Sequence, residues 1–252
     1  MADWNRFLVA GVLVAVRLSG LMVFAPIFNS SAIAPRIKAG FVFALTILLA
    51  PVVAAVPGAA IELGVQSIVG ELGVGLVFGL SLMMLTEALL LAGTLMGVSF
   101  SFSLVNLLDP NTHVETAVLG QLFGWLGVLV LLGAGLDRVL LAALVRSFCI
   151  VPVGHAVIQA STGSALMGMA DGIFLAGLQL AAPVMAASLV VEMTISMISR
   201  LAPMLPSQVI SVPLKTLSSF AVLIGSLAVW PGWIERHFAA LLDAAGKLLV
   251  RA

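Results

Sequence analysis

LGVGLVFGLSLMMLTEALLLAGTLMGVSFSFSLV, residues 72–105, carries a single charge, Glu87, in an otherwise apolar run. A helix needs about 20 mainly apolar residues to cross a bilayer. This run is too long for one straight span, so it is expected to tilt, break or continue beyond the membrane. Five further windows qualify: 7–28, interrupted by Arg17; 39–56, ended by Pro57 and Gly58; 117–136; 173–198, containing Glu192; and 209–230, containing Lys215. Between the fourth and fifth windows, 139–168 is apolar but broken by Arg146, Pro152, Gly154 and Gly163. It is expected to form an amphipathic or partly inserted helix followed by a loop. Barrel strands would alternate apolar and polar residues over about 10 positions, whereas these runs are continuous. In lipid a helix satisfies its own backbone polar groups and an open strand does not. The fold class that follows is all-α: a polytopic membrane protein of about six long apolar helices, some kinked or broken.

Composition agrees. The 252 residues are 62% hydrophobic and 9% charged, with mean hydropathy +1.25. Soluble domains carry roughly 25% charged residues, so too few charges remain here to cover a water-facing surface. Net charge is zero, which leaves no electrostatic footprint for nucleic acid. The one cysteine, Cys149, cannot form an internal disulfide and sits in an apolar stretch as a small hydrophobe would.

Local signals place the helix ends. Thr112 and Glu115 have the spacing of a capping box ahead of the fourth window, and Asp109-Pro110-Asn111 before it is turn chemistry. Asp171 is expected to cap the fifth helix at the positive end of its dipole. Pro231-Gly232 is expected to close the sixth, leaving a short amphipathic tail with Arg236, Lys247 and Arg251. Arg17 stands where a signal peptide would be apolar, so the first helix is expected to be retained. With six spans, Arg6, Arg138, Arg146, Arg236, Lys247 and Arg251 fall on one side and Arg36, Lys38 and Arg200 on the other. The excess favours both termini in the cytoplasm.

Motifs for chemistry are missing. No H-E-x-x-H, Walker A loop or G-x-S-x-G elbow occurs, and His113, His155 and His237 are scattered. No enzyme, cofactor or metal is therefore expected. The ionisable residues inside apolar runs say more: Arg17, Glu71, Glu87, Glu192 and Lys215. A mid-membrane charge costs roughly 2.5–3.5 kcal/mol on insertion scales and is normally paired or faces a watery path. The bland alternative is a charge near the interface that snorkels to water. Glu192 and Lys215 lie on consecutive windows that should form an antiparallel pair. At about 1.5 Å rise per residue their heights differ by roughly one turn. They are expected to pair directly, as a buried ion pair, or to bond neighbouring subunits. Gly75/Gly79, Gly93/Gly97, Gly120/Gly124 and Gly168/Gly172 have the G-x-x-x-G spacing of close helix packing. The many methionines read as gap filling or as the lining of an adaptable opening.

Three segments, in order along nearly the whole chain, resemble the FliR family of flagellar and type III secretion export-gate subunits, the family that includes SctT. The first is Arg17-Leu-Ser-Gly20 through Ala25-Pro26-Ile27-Phe28, then Pro35 to Lys38. The second is Gly177-Leu-Gln-Leu-Ala-Ala-Pro183-Val184. The third is Arg200-Leu-Ala-Pro203 followed by Pro213-Leu214-Lys215. Met204, Pro206, Gln208 and Ser211 stand where the family shows Gln, Asn, Phe and Gly, which leaves open whether the chain serves a flagellum or an injectisome.

The resemblance implies a structural subunit, present once per gate with FliP-like and FliQ-like subunits and an FlhB-like switch protein. It implies a place in the bacterial inner membrane within the flagellar basal body. There the gate forms a closed channel entrance for unfolded exported proteins. It also implies a FliP-like portion over about 1–170, a FliQ-like hairpin over about 171–235 and an amphipathic tail over 236–252. By the same resemblance Asn106, Leu107, Leu108, Asp109, Pro110 and Asn111 correspond to a loop that plugs the closed channel. Leu107 and Leu108 suit an apolar constriction, and Asp109-Pro110 sets a stiff turn. Two other classes fit the composition: a secondary transporter, which would show an internal repeat and a substrate pocket, and an intramembrane enzyme, which would show a nucleophile with its base or a metal cluster.

Overall fold

The computed structural model describes residues 2–25, 34–56, 63–100, 118–156, 160–202 and 207–250. Within them lie eight helices: α1 Ala2–Phe24, α2 Pro35–Ala54, α3 Val65–Ser99, α4 Val118–Gly133, α5 Leu136–Ile150, α6 Ala160–Leu201, α7 Ser207–Ser226 and α8 Trp230–Val250. No strand occurs among the described residues. Arg6–Phe24, Pro35–Ala54, Val65–Ser99 and Thr162–Leu201 are each long and apolar enough to cross a membrane. Two bent pairs, Gly120–Gly133 with Arg138–Ile150 and Ile210–Ser226 with Trp230–Leu248, bring the number to six if each pair is one span. The expected class, an all-α polytopic protein with broken segments, is the one observed.

Over its described part, 72–99, the long window is one unbroken helix. α3 has 35 residues and α6 has 42. At about 1.5 Å per residue these are roughly 50 and 60 Å long, well beyond the roughly 30 Å of hydrocarbon. α6 continues through Pro183, and α2 and α7 through Pro51 and Pro213. Apolar helices tolerate such prolines where local adjustment re-satisfies the freed carbonyls.

Helix ends follow local chemistry. Pro35 opens α2, where its fixed φ suits the first turn and its missing N–H has no helical partner to lose. Gly135, at φ 70°, separates α4 from α5, a conformation that costs glycine nothing. Two expectations are corrected. Asp171 does not cap a helix: α6 already begins at Ala160 and carries it inside. Residues 160–172 hold Ala, Leu and Met and no proline, so the helix extends through a stretch expected to be loop. Pro231-Gly232 does not close the sixth helix. α7 stops at Ser226, and Pro231 is the second residue of α8, again a first-turn position. The Thr112/Glu115 box, Asp109-Pro110 and Pro57-Gly58 lie outside the described residues.

The chain divides into two compact units. The first comprises Met1–Leu85, Leu131–Ala170 and Arg236–Ala252; the second comprises Thr86–Val130 and Asp171–Glu235. In the first, α1 buries a stripe at Leu13, Val14, Arg17, Leu18 and Leu21, the i, i+3, i+4 spacing of one helix face. The face meets the N-terminal part of α3, where Val74, Val77 and Phe78 are buried. Glycines permit the approach: a Cβ on Gly75 would run into the carbonyl of Arg17, and one on Gly79 into that of Leu21. α1 also packs on α2, of which only Ala50 and Val53 are buried.

In the second unit, Ala88, Leu89, Ala92 and Met96 of α3, with Phe100 just after it, form the buried stripe. Gly93 there meets the backbone of Gly120 on α4. Phe100 packs on Phe220 of α7 at 4.4 Å between ring centroids, and Phe123 of α4 on Trp230 at 4.8 Å. Aromatic pairs at such distances add about 0.5–1.5 kcal/mol beyond burial. Gly124, Gly168 and Gly172 face open space, so of the G-x-x-x-G pairs only some positions serve packing within the chain.

Gly75→Val should therefore overpack the contact between α1 and α3 at a cost of roughly 1–3 kcal/mol or more. Gly172→Ala should be neutral or gain up to about 1 kcal/mol of helix propensity. Heating detergent-extracted protein and following the soluble peak by size-exclusion chromatography tests this. The reverse ranking would contradict the packing described.

Candidate functional site

Two charged contacts lie inside apolar helices, one in each unit. In the first unit, Arg17 of α1 and Glu71 of α3 are fully buried. Arg17 Nε donates to Glu71 Oε2 at 2.6 Å, Nη1 to Ser147 Oγ at 3.1 Å and Nη2 to the carbonyl of Val151 at 3.1 Å. Ser147 gives its own proton to the carbonyl of Leu144 at 2.6 Å, which frees its lone pairs to accept from the guanidinium. Glu71 Oε1 accepts the N–H of Gly154 at 2.9 Å. The guanidinium also lies over the Phe148 ring, 4.2 Å from its centroid.

The local fold makes each contact available. α5 ends at Ile150, Val151 is extended, and the chain turns through Pro152 to Gly154 at φ 87°. This turn exposes one carbonyl to the cation and one N–H to the anion. Left-handed φ favours glycine, because a Cβ there is strained. Close approach has the same source: a Cβ on Gly70 would run into the carbonyl of Ala156. The result is a clamp that ties α1, the start of α3 and the turn after α5. Sequence reading singled out Arg17 and Glu71 without assigning either a partner. It missed Ser147, Phe148 and the backbone of Val151 and Gly154. The Pro152–Gly154 turn signal was visible, but nothing tied it to a carboxylate 83 residues away.

In the second unit, Lys215 Nζ of α7 lies 3.3 Å from Glu192 Oε2 of α6. The pair is not sealed within the chain: Lys215 is 16% exposed and Glu192 59%. The expectation of a buried pair is corrected to that extent, because the Glu192 carboxylate sits on an outer face of α6. Nearby, Thr216 Oγ1 donates to the carbonyls of Phe100 at 3.3 Å and Val212 at 2.9 Å, anchoring α7 to the end of α3.

Glu87 is half-buried on α3, with no ion pair among the described residues. Lys38 and Pro35 share the first turn of α2, and exposed Arg200 closes α6, where a cation suits the helix C-terminus. Pro183 is exposed on α6, and Pro213 lies two residues before Lys215. Pro26, Phe28, Pro203 and residues 106–111 lie outside the described residues. Among the described residues no three His, Cys, Asp or Glu side chains come together as metal ligands would.

These features define an all-helical polytopic membrane protein with one fully buried ion pair and one partly exposed pair between its apolar helices. Residues 8–241 match the family described as bacterial export proteins, family 1. The chain belongs to that family. It is 26% identical to the flagellar biosynthetic protein FliR of Bacillus subtilis (strain 168), over 95% of this chain and 94% of that protein. It is 26% identical to the FliR of Escherichia coli (strain K12), over 93% and 90% of the two chains. The FliR of Caulobacter vibrioides is also 26% identical, over 92% and 93%. The family expected from the three segments is the family found.

Removing one partner of the buried pair, as in Arg17→Met, should cost roughly 3–5 kcal/mol by stranding the other charge. Arg17→Met/Glu71→Met should recover a large share of that loss. Single substitutions at Glu192 or Lys215 should cost about 1 kcal/mol or less, as at exposed pairs. Thermal unfolding in detergent, read as a double-mutant cycle, checks both. Additive losses at Arg17 and Glu71 would reject their coupling.

Proposed function

We propose that this chain is a structural, non-enzymatic subunit of a bacterial flagellar type III export gate, helping to form the closed entrance through which unfolded proteins pass. The observation that carries the reading is the end-to-end match to proteins named FliR, over 95% of this chain and 94% of the Bacillus subtilis protein. The relatives named above are flagellar proteins, which favours a flagellum over an injectisome.

The subunit works in the inner membrane, within the basal body, beside FliP-like, FliQ-like and FlhB-like proteins. Its outer surface supports this. Phe174, Val190, Met193 and Met197 of α6 and Leu217 and Ile224 of α7 are exposed large apolar residues on one helical pair. Glu192 opens onto that same apolar surface, where lipid tails cannot solvate a carboxylate. A neighbouring protein or a watery lumen can. The FliP-like portion covers about 1–170, the FliQ-like hairpin about 171–235 and the tail 236–252. The units of the fold change at Ala170/Asp171 and Glu235/Arg236, but also at Leu85/Thr86 and Val130/Leu131 inside the FliP-like portion. A gate needs no bond-making residue. It needs an apolar seal that can move aside, and Leu107 and Leu108 within 106–111 supply the chemistry of a plug.

Deleting the chain should abolish export of flagellar proteins into the medium, and tagged protein should co-purify with FliP-like and FliQ-like subunits. Normal export without it, or a stable lone monomer in mild detergent, would overturn the reading. Removing residues 107–111 should leave the complex assembled and make the membrane leak ions, measured as collapse of the membrane potential. A tight membrane around an assembled variant would show that this segment is not the plug.

A further inference from the structure

Within the first unit, α5 and the part of α8 after Glu235 flank a cavity of about 480 Å³ with Phe78 of α3 behind them. The volume falls within the roughly 300–1,000 Å³ of small-ligand pockets. Phe78 and Leu242 are buried at its base, while Val139 on the wall is 46% exposed, so the cavity opens to its surroundings. Its polar residues are Arg146, Asp243 and Lys247. Lys247 Nζ contacts Asp243 one turn away at 2.7 Å, both side chains being well exposed. Arg146 is exposed and has no hydrogen bond or ion pair among the described residues. One positive charge is thus left over at the mouth of an apolar cleft.

We propose that this cavity is a binding site for an anionic phospholipid, with its phosphodiester on Arg146 and Lys247 and the upper part of an acyl chain against Val139, Leu242 and Phe78. The two halves of the site select the same molecule. A planar guanidinium binds a phosphate through two parallel N–H donors, and an ammonium adds a point charge. A neutral lipid has no use for the unpaired Arg146, and a free anion has no use for the apolar wall. A protein helix about 10–12 Å across is too bulky for the cleft. The wider charge distribution points the same way. Nine of the eleven Lys and Arg residues lie in the first unit, against five of the eleven acids. The field of that unit therefore draws anions toward it. Basic pockets between membrane helices are a known setting for anionic headgroups. The inference goes beyond the export reading and does not depend on it.

The test uses the chain extracted in mild detergent together with the proteins that co-purify with it. Phosphatidylglycerol with a diazirine in its acyl chain is photolysed against the complex, and labelled peptides are mapped by mass spectrometry. Labels should fall on residues 139–150 and 239–247. Arg146→Gln/Lys247→Gln should lower that labelling about tenfold, the factor equivalent to about 1.4 kcal/mol. Ala143→Trp, which fills the cleft, should lower it as much, and Arg146→Lys should retain most of it. Co-purification of the partners with each variant confirms folding, as the changes lie on an open surface. Equal labelling by a phosphatidylcholine probe would reduce the site to ordinary boundary lipid and overturn the proposal. So would displacement by millimolar inorganic phosphate, which would make it a free-anion site, and so would an absence of labels in both segments.

Discussion

A guanidinium deprived of water must be given back its hydrogen bonds, and the first unit is organised around doing so for Arg17. Its ligands come from far apart in the chain: a carboxylate 54 residues on, a hydroxyl 130 on and a carbonyl 134 on. None of these can be in place unless α1, α3 and the turn after α5 are packed in one register. The ion pair is not thereby a large source of stability. Desolvation offsets most of the Coulomb attraction, and a well-packed apolar pair of similar volume is often as stable or more so. What the pair supplies is discrimination. Apolar helices such as α1 and α3 can slide past one another at little cost, because one row of Leu and Val resembles the next. A slip by one turn would leave Arg17 and Glu71 both buried and both unpaired. The glycines at 75 and 79, which let α3 rest on the backbone of α1 at Arg17 and Leu21, permit close approach in that register.

The two charged pairs contrast in a way that separates what the chain completes alone from what it leaves open. Arg17–Glu71 is held entirely by groups of one unit. Glu192–Lys215 is closed on the lysine side and open on the carboxylate side. An exposed carboxylate on an apolar helix cannot rest in hydrocarbon without cost, so its medium must contain water or another protein's donors. Leu189, one turn before Glu192, and the adjacent Met193 are exposed on α6 as well. Such a surface, apolar but punctuated by a charge, suits contact with other subunits better than contact with lipid alone, and the proposed assembly would provide that contact.

Much of the fold was legible because lipid imposes a coarse rule. Continuous apolar runs become helices, and the windows around Leu13, Phe78 and Val184 were visible on that ground alone. Charges within the runs were visible for the same reason. Their partners were not, since periodicity describes one helix at a time and Arg17 meets Glu71 only through tertiary packing. Helix ends were read less well where polar residues looked like punctuation. Asp171 has the chemistry of a cap, yet residues 160–170 before it hold no proline, and Gly163 and Gly168 weaken a helix without ending it, so the element began earlier. Pro231 looked like a terminator, but proline is equally at home in a first turn. Ser226 to Val229, with no glycine or proline, carried the actual break, closed by the bond from Val229 N–H to the Ser226 carbonyl. Glu192 was placed beside Lys215 by counting rise per residue, but its exposure depends on which face of α6 is covered, and that is not a property of spacing.

The breaks also bear on how such a chain can work. α5 and α8 are amphipathic and carry two basic residues each, Arg138 and Arg146 on one and Arg236 and Lys247 on the other, whereas the long apolar α3 carries none and α6 one. A helix with a charged face is stable along an apolar–polar boundary and unstable across hydrocarbon. Long helices that exceed the bilayer thickness need protein around their excess length, because lipid accommodates mismatch only over a few ångströms. One chain therefore combines two helices too long for lipid with two suited to its surface. Burial in the proposed assembly would resolve the first, and the proposed basic cleft open to anionic headgroups would resolve the second. Both requirements arise from the same scarcity of charge that first marked the sequence. Of the few charges that remain, Arg17 and Glu71 position helices, and Glu192 is left for the proposed assembly to cover.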